Sequence, residues 1–138
     1  MTIALRLGLA ALASIELVLG VWTQFFPRSF YDDVATVDLT PPFSEHLMRD
    51  FGGATLGIAI VLAAATIWPD TRLVVVALLA YLTFSVPHLL FHLGHLDHAS
   101  ETEAAGLTTS LVASVAGPVA LLGLAFVRAK RIARSAPS

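Results

Sequence analysis

The sequence predicts an all-α integral membrane protein, a four-helix transmembrane bundle with antiparallel up-down topology. Three observations predict it. Hydrophobic residues fill 57% of the 138 positions against 13% charged, more than a soluble core of this size needs. Four separate apolar runs are each long enough for a helix to cross the hydrocarbon core, with turn residues at the joints between them. The cations gather where one end of such a bundle would lie.

The first run, Ile3 to Phe26, is closed by Pro27, which cannot continue a helix. Arg6 before an apolar stretch imitates a signal peptide, but the run carries Glu16 and has no small-x-small cleavage site before Pro27, so it reads as a retained span. The segment from Pro27 to Ser44 is the longest polar connection and holds Arg28, Tyr31, Asp32, Asp33 and Asp38. Thr40 followed by Pro41 reads as an N-cap and first helical position, which starts the second helix ahead of its fully apolar part, Phe51 to Trp68. His46, Arg49 and Asp50 are then on helix. Trp68-Pro69-Asp70-Thr71 makes a tight turn, so the second helix and the third, apolar from Leu73 to Leu93, form an antiparallel hairpin. A polar link from Leu96 to Glu103 leads to the fourth run, Ala104 to Val127. The expected spans are about 3–26, 41–68, 71–95 and 104–128, in one domain covering 1–138. A transmembrane barrel would need alternating strands, and the runs are continuously apolar.

Arg128, Lys130, Arg131 and Arg134 crowd the tail, Arg72 sits in the short turn and Arg6 near the start, whereas the link from Leu96 to Glu103 has no cation. The positive-inside rule then places both termini in the cytoplasm. Trp22, Phe25, Phe26 and Phe30 fit an outer aromatic belt. A net charge of −2 without a basic groove excludes nucleic acid as a partner. The absence of cysteine excludes disulfides, thiolate ligands and dithiol redox chemistry. No lysine lies inside a span, which excludes a retinal-type Schiff base.

All five histidines fall toward the outer side: His46 opens the second helix, and His88, His92, His95 and His98 close the third. His88, His92 and His95 share a helical face that Ser85 and Tyr81 continue inward. On the second helix the spacing of His46, Asp50, Gly53 and Gly57 puts histidine and carboxylate on a stripe whose glycines permit close helix approach. His46, Asp50, His88 and His92 are therefore expected to meet as one outer cluster able to hold a transition metal. At about 1.5 Å rise per residue the two pairs overlap in depth. Glu16 lies near the bilayer midplane, where a carboxyl must face the interior and find a partner. Arg49 and His88 are the expected partners, with Glu16, Arg49 and His95 as candidate proton or charge groups. The bland alternatives are concrete: His95 and His98 as solvated interface residues, His88 and His92 as helix-to-helix hydrogen-bonding groups, and Arg49 with Asp50 as an interfacial ion pair.

Glu45-His46-Leu47-Met48-Arg49-Asp50-Phe51-Gly52-Gly53, followed by Val86-Pro87-His88-Leu89-Leu90-Phe91-His92, resembles small uncharacterised four-helix membrane proteins of bacteria, loosely DoxX-like. The resemblance implies a compact four-helix bundle in a bacterial plasma membrane and assigns no catalytic residue. Four functions stay open from the residues. The first is a metal site for zinc, iron or copper with a nitrogen and oxygen shell. The second is a b-type haem held by His46 with His88 or His92, making an electron-transfer subunit. The third is an accessory subunit that binds a membrane partner or a second copy of itself within the lipid bilayer, its histidines structural. A proton-coupled transporter using Glu16 and the histidine ladder is the fourth.

Overall fold

The structure is a computed structural model, described here for residues 2–39 and 42–135. Its described residues form five α-helices and one short 3-10 turn, with no strand: α1 (Thr2–Phe25), α2 (Pro27–Asp33), the 3-10 turn Val37–Leu39, α3 (Glu45–Ile67), α4 (Thr71–Leu93) and α5 (Glu101–Ser135). Four of them, α1, α3, α4 and α5, are long and apolar enough to cross a membrane.

Pro27 ends α1, as expected, because it has no N–H to continue the helical ladder. The same residue opens α2, since its fixed φ suits a first helical turn, so part of the expected loop is helical. Trp22 holds α2 against the end of α1 by donating Nε1–H to Ser29 Oγ at 3.0 Å and packing edge-on against Phe30. Ser29 in turn donates to Asp33. Of the aromatic belt, Phe25 and Phe26 are exposed while Phe30 is buried.

The third helical element, α3, begins later than the sequence suggests. Pro42 to Ser44 are not helical, and the N-cap is Ser44, whose side chain accepts from the Leu47 N–H. Thr40 and Pro41, the expected start, lie outside the described residues. Asp70 caps α4 by accepting from the Arg72 and Leu73 N–H groups. Ser100 and Glu103 form a reciprocal capping box: Glu103 Oε2 accepts from the Ser100 N–H at 2.8 Å, and Ser100 Oγ accepts from the Glu103 N–H at 3.3 Å. That motif starts α5 ahead of the expected Ala104, and α5 runs on through the basic tail to Ser135.

The tightest packing is between α1 and α3. The α1 face Leu5, Leu9, Ala13, Glu16, Gly20 and Thr23 is buried against Gly52, Thr55, Ala59, Leu62 and Ala65 of α3. A Cβ at Gly52 would stand 2.5 Å from the Gln24 backbone nitrogen and 2.7 Å from Thr23 Oγ1, so only glycine fits. The close-approach glycine of α3 is thus Gly52. Gly53 and Gly57 are exposed, and a Cβ at Gly57 would meet nothing, which corrects the expected stripe. Successive helical residues are rotated by about 100°. One position of difference therefore turns His46 and Asp50 away from the buried face.

Cationic side chains tie the helix ends. Arg6 of α1 donates to the Ile67 carbonyl at the end of α3 at 3.3 Å, and Arg128 of α5 donates to the Pro69 carbonyl in the turn before α4 at 2.6 Å. Both meet carbonyls that a helix end or turn leaves without a partner. The apolar core lies at this end, where Leu5, Leu9, Leu62, Val74, Leu78 and Ala125 are buried together. Among its described residues α5 buries a narrow seam, Leu111, Pro118 and Ala125, spaced seven apart.

Candidate functional site

The chemistry-bearing residues of α4 follow directly from its helical period. Val74, Ala77, Leu78, Tyr81 and Ser85 form the buried face, and His88 and His92 continue it at spacings of three and four, each half-buried. Ser85 is 2% exposed, and its Oγ has no hydrogen-bond partner. Pro87, one position before His88, removes a donor from the helix and leaves the Thr83 carbonyl without its usual bond.

Aromatic rings set the imidazoles. Phe51 of α3 packs on Phe84, whose ring stacks on His88 with centroids 5.0 Å apart. His88 and His92 meet edge to face at 4.6 Å. His92 also stands perpendicular to Phe91, which stacks on His95 at 4.1 Å. His95 Nδ1 is 2.7 Å from the Phe91 carbonyl, which engages it as donor and fixes its orientation at the helix end.

The candidates on α3 stand apart from this pair. His46 Nε2 and Asp50 Oδ2 are 3.3 Å apart on side chains that are 89% and 62% exposed. Arg49 pairs with Glu45 at 2.9 Å and donates to the Gln24 carbonyl, so it is the partner of neither Asp50 nor Glu16. The structure brings together His88 with His92, and His46 with Asp50, as two separate pairs. Among the described residues no group of three His, Asp or Glu side chains is placed to hold an ion.

Glu16 of α1 is 5% exposed, in the interior as the sequence suggests. Tyr81 of α4 is also buried. Pro118 leaves the Ser114 carbonyl of α5 without its usual helical donor. Ser114 stood in the sequence only as one of several hydroxyls on the last span. Gln24 was not visible as an interior group: its Oε1 is buried without a partner. The signal that exposes it is Gly52, which admits the α1 backbone so closely that Gln24 is drawn in beside it.

Comparison with known proteins finds no matching family model, curated protein or solved structure. Function is therefore argued from the groups themselves, the histidine pair near the end of α4 and the buried Glu16 of α1.

Proposed function

We propose that the chain is an integral membrane protein of a bacterial plasma membrane, an up-down antiparallel bundle with both termini cytoplasmic, whose outer end binds a divalent transition metal through His88 and His92. The observation that carries the metal reading is the placement of two imidazoles one helical turn apart on the half-buried face of α4, with ring centroids 4.6 Å apart. Two histidines at this spacing can chelate one ion, as in helical zinc motifs. Nitrogen ligands without thiolate suit zinc, copper or iron, and two protein ligands leave positions open for water or substrate. The up-down topology is supported by the end-to-end contacts of Arg6 with Ile67, Arg49 with Gln24, and Arg128 with Pro69. The orientation is supported by the cations of the α5 tail.

The haem alternative, which pairs His46 with His88 or His92, has weaker support, because His46 lies beside Asp50 on an exposed face of α3. A role as partner of another membrane subunit or a second copy is favoured by α5, whose face through Ala105, Gly106, Thr109 and Ala113 lies open.

Metal content by elemental analysis and Zn²⁺ titration of the purified protein tests the proposal. One ion per chain is expected, lost in His88→Ala/His92→Ala and kept in His46→Ala. Binding unchanged in the double variant refutes the site.

A further inference from the structure

The pairing of α1 with α3 leaves a groove on the outside of the bundle. On α1, Arg6, Ala10, Ala13 and Leu17 recur at spacings of four, three and four and so share one side of the helix. On α3, Leu56, Ile60, Ala63 and Ile67 recur at the same spacings. Between the two rows lies an open groove of ≈ 450 Å³, lined by the small side chains of Ala10, Ser14 and Ala63 and by the larger Leu17, Leu56 and Ile60. Leu17 and Ile60 are 52% and 68% exposed, so the groove opens sideways and not into the core. From Leu56 to Ile67 it runs about 16 Å at 1.5 Å per residue, roughly one leaflet of the hydrocarbon layer. Ile67 lines its end, and there Arg6 donates to the Ile67 carbonyl at 3.3 Å.

That end of the bundle is strongly cationic. The contacts of Arg6 with Ile67 and of Arg128 with Pro69 gather the start of α1, the end of α3, the start of α4 and the end of α5 in one place. Arg6, Arg72, Arg128, Lys130, Arg131 and Arg134 all belong to it. Among the described residues the carboxylate there is Asp70, which is already engaged as the cap of α4. The other aspartates and glutamates outside the core lie at the opposite end, so the positive charge at the mouth of the groove has no acidic counterpart of its own. The bond to Ile67 uses one of the five N–H donors of the Arg6 guanidinium, and the others suit phosphate oxygens. An apolar channel ending in surplus positive charge is complementary to an amphiphile with an anionic head. A second copy is a poorer occupant, because copies sharing one orientation in the membrane would bring their own cations to the same end.

We propose that the groove between α1 and α3 is a binding site for one anionic phospholipid, with an acyl chain lying between the two helices and the headgroup phosphate held by Arg6. The groove supplies the apolar contact area and the cationic end supplies the preference for negative charge. The inference rests on the membrane reading and needs no metal. Retention of the chain in membranes after alkaline extraction tests that reading separately, and a chain released by alkali refutes it and the lipid site together.

The experiment titrates delipidated protein in detergent with phosphatidylglycerol and with phosphatidylcholine of the same acyl chains, counting bound lipid by native mass spectrometry. One tightly held phosphatidylglycerol per chain is expected, with phosphatidylcholine weaker. Arg6→Gln should weaken phosphatidylglycerol binding by about fivefold, the equivalent of the roughly 1 kcal/mol that one cation contributes near an anionic surface. Arg6→Lys should keep most of it, and Lys130→Gln, away from the groove, should weaken it less than Arg6→Gln does. Ser14→Phe fills the groove at an exposed position without touching a charge, so it should displace the lipid even if Arg6→Gln does not fold. Inorganic phosphate at the same concentration should not compete, because it lacks the chain. Equal affinity for the two lipids, binding indifferent to Ser14→Phe, displacement by inorganic phosphate, or a protein dimer that excludes lipid from the groove overturns the proposal.

Discussion

Arg49 at the start of α3 donates a hydrogen bond to the main-chain carbonyl of Gln24 in the last turn of α1. The carbonyls of that turn are short of helical donors because Pro27 interrupts the ladder, so a guanidinium from the neighbouring helix supplies one. The same side chain is held by Glu45 one turn away. This is a structural role for a residue whose charge, from the sequence alone, looks available for an interior carboxylate. Arg49→Met should lower stability by about 1.5 to 3 kcal/mol, the range for a hydrogen bond to a charged group. Glu45→Gln should change it by less than about 1 kcal/mol, because that pair is largely exposed. Denaturant titration in detergent distinguishes them, and equal effects would show that the bond to Gln24 contributes nothing.

Gly52→Ala should destabilise by about 1 to 3 kcal/mol, since the added methyl meets backbone rather than a flexible side-chain tip. Gly57→Ala, in open space, should stay within about 1 kcal/mol of the native protein and on the stabilising side. Thermal unfolding of both variants checks the direction of each. A harmless Gly52→Ala would mean that α1 and α3 do not pack as described.

The topology can be read chemically because the chain has no native cysteine. Single cysteines at the exposed Ala35 and Asp97 should react with an impermeant thiol reagent outside intact cells, and one at Ala133 should not. These sites avoid Ser29 and Ser100, which hold α2 and the start of α5 in place. Labelling confined to Ala133→Cys would invert the orientation.

Metal affinity should fall as the solution is acidified, because an imidazole must be neutral to ligate. Protonation competes with the ion at His88 and His92, so affinity rises with pH and then levels off. Titrations from acid to neutral pH read this directly. An affinity flat across that range would point away from imidazole ligands.

Glu16→Leu should leave stability within about 1 kcal/mol of the native protein, since an interior carboxyl without an ion pair is exchanged for an apolar group that needs none. A loss of several kcal/mol in denaturant titration would make Glu16 a packing residue.

The sequence by itself determined the four long helices and the inward face of α4. Continuous apolar runs leave backbone groups no partner in lipid other than their own helix, and prolines and caps mark where each run stops. On α4 the polar residues Tyr81, Ser85, His88 and His92 recur at helical spacing, so their common face was legible without any neighbour. Only the tertiary structure decided which face of α3 turns inward. That helix is apolar nearly all round, so hydropathy carries no preference between the stripe of Gly53 and Gly57 and the stripe of Gly52 and Thr55. The choice is made by backbone-to-backbone contact at Gln24, a packing term between helices distant in sequence. It leaves His46 and Asp50 exposed beside each other, Arg49 on the α1 end, and His88 with His92 as a pair of their own.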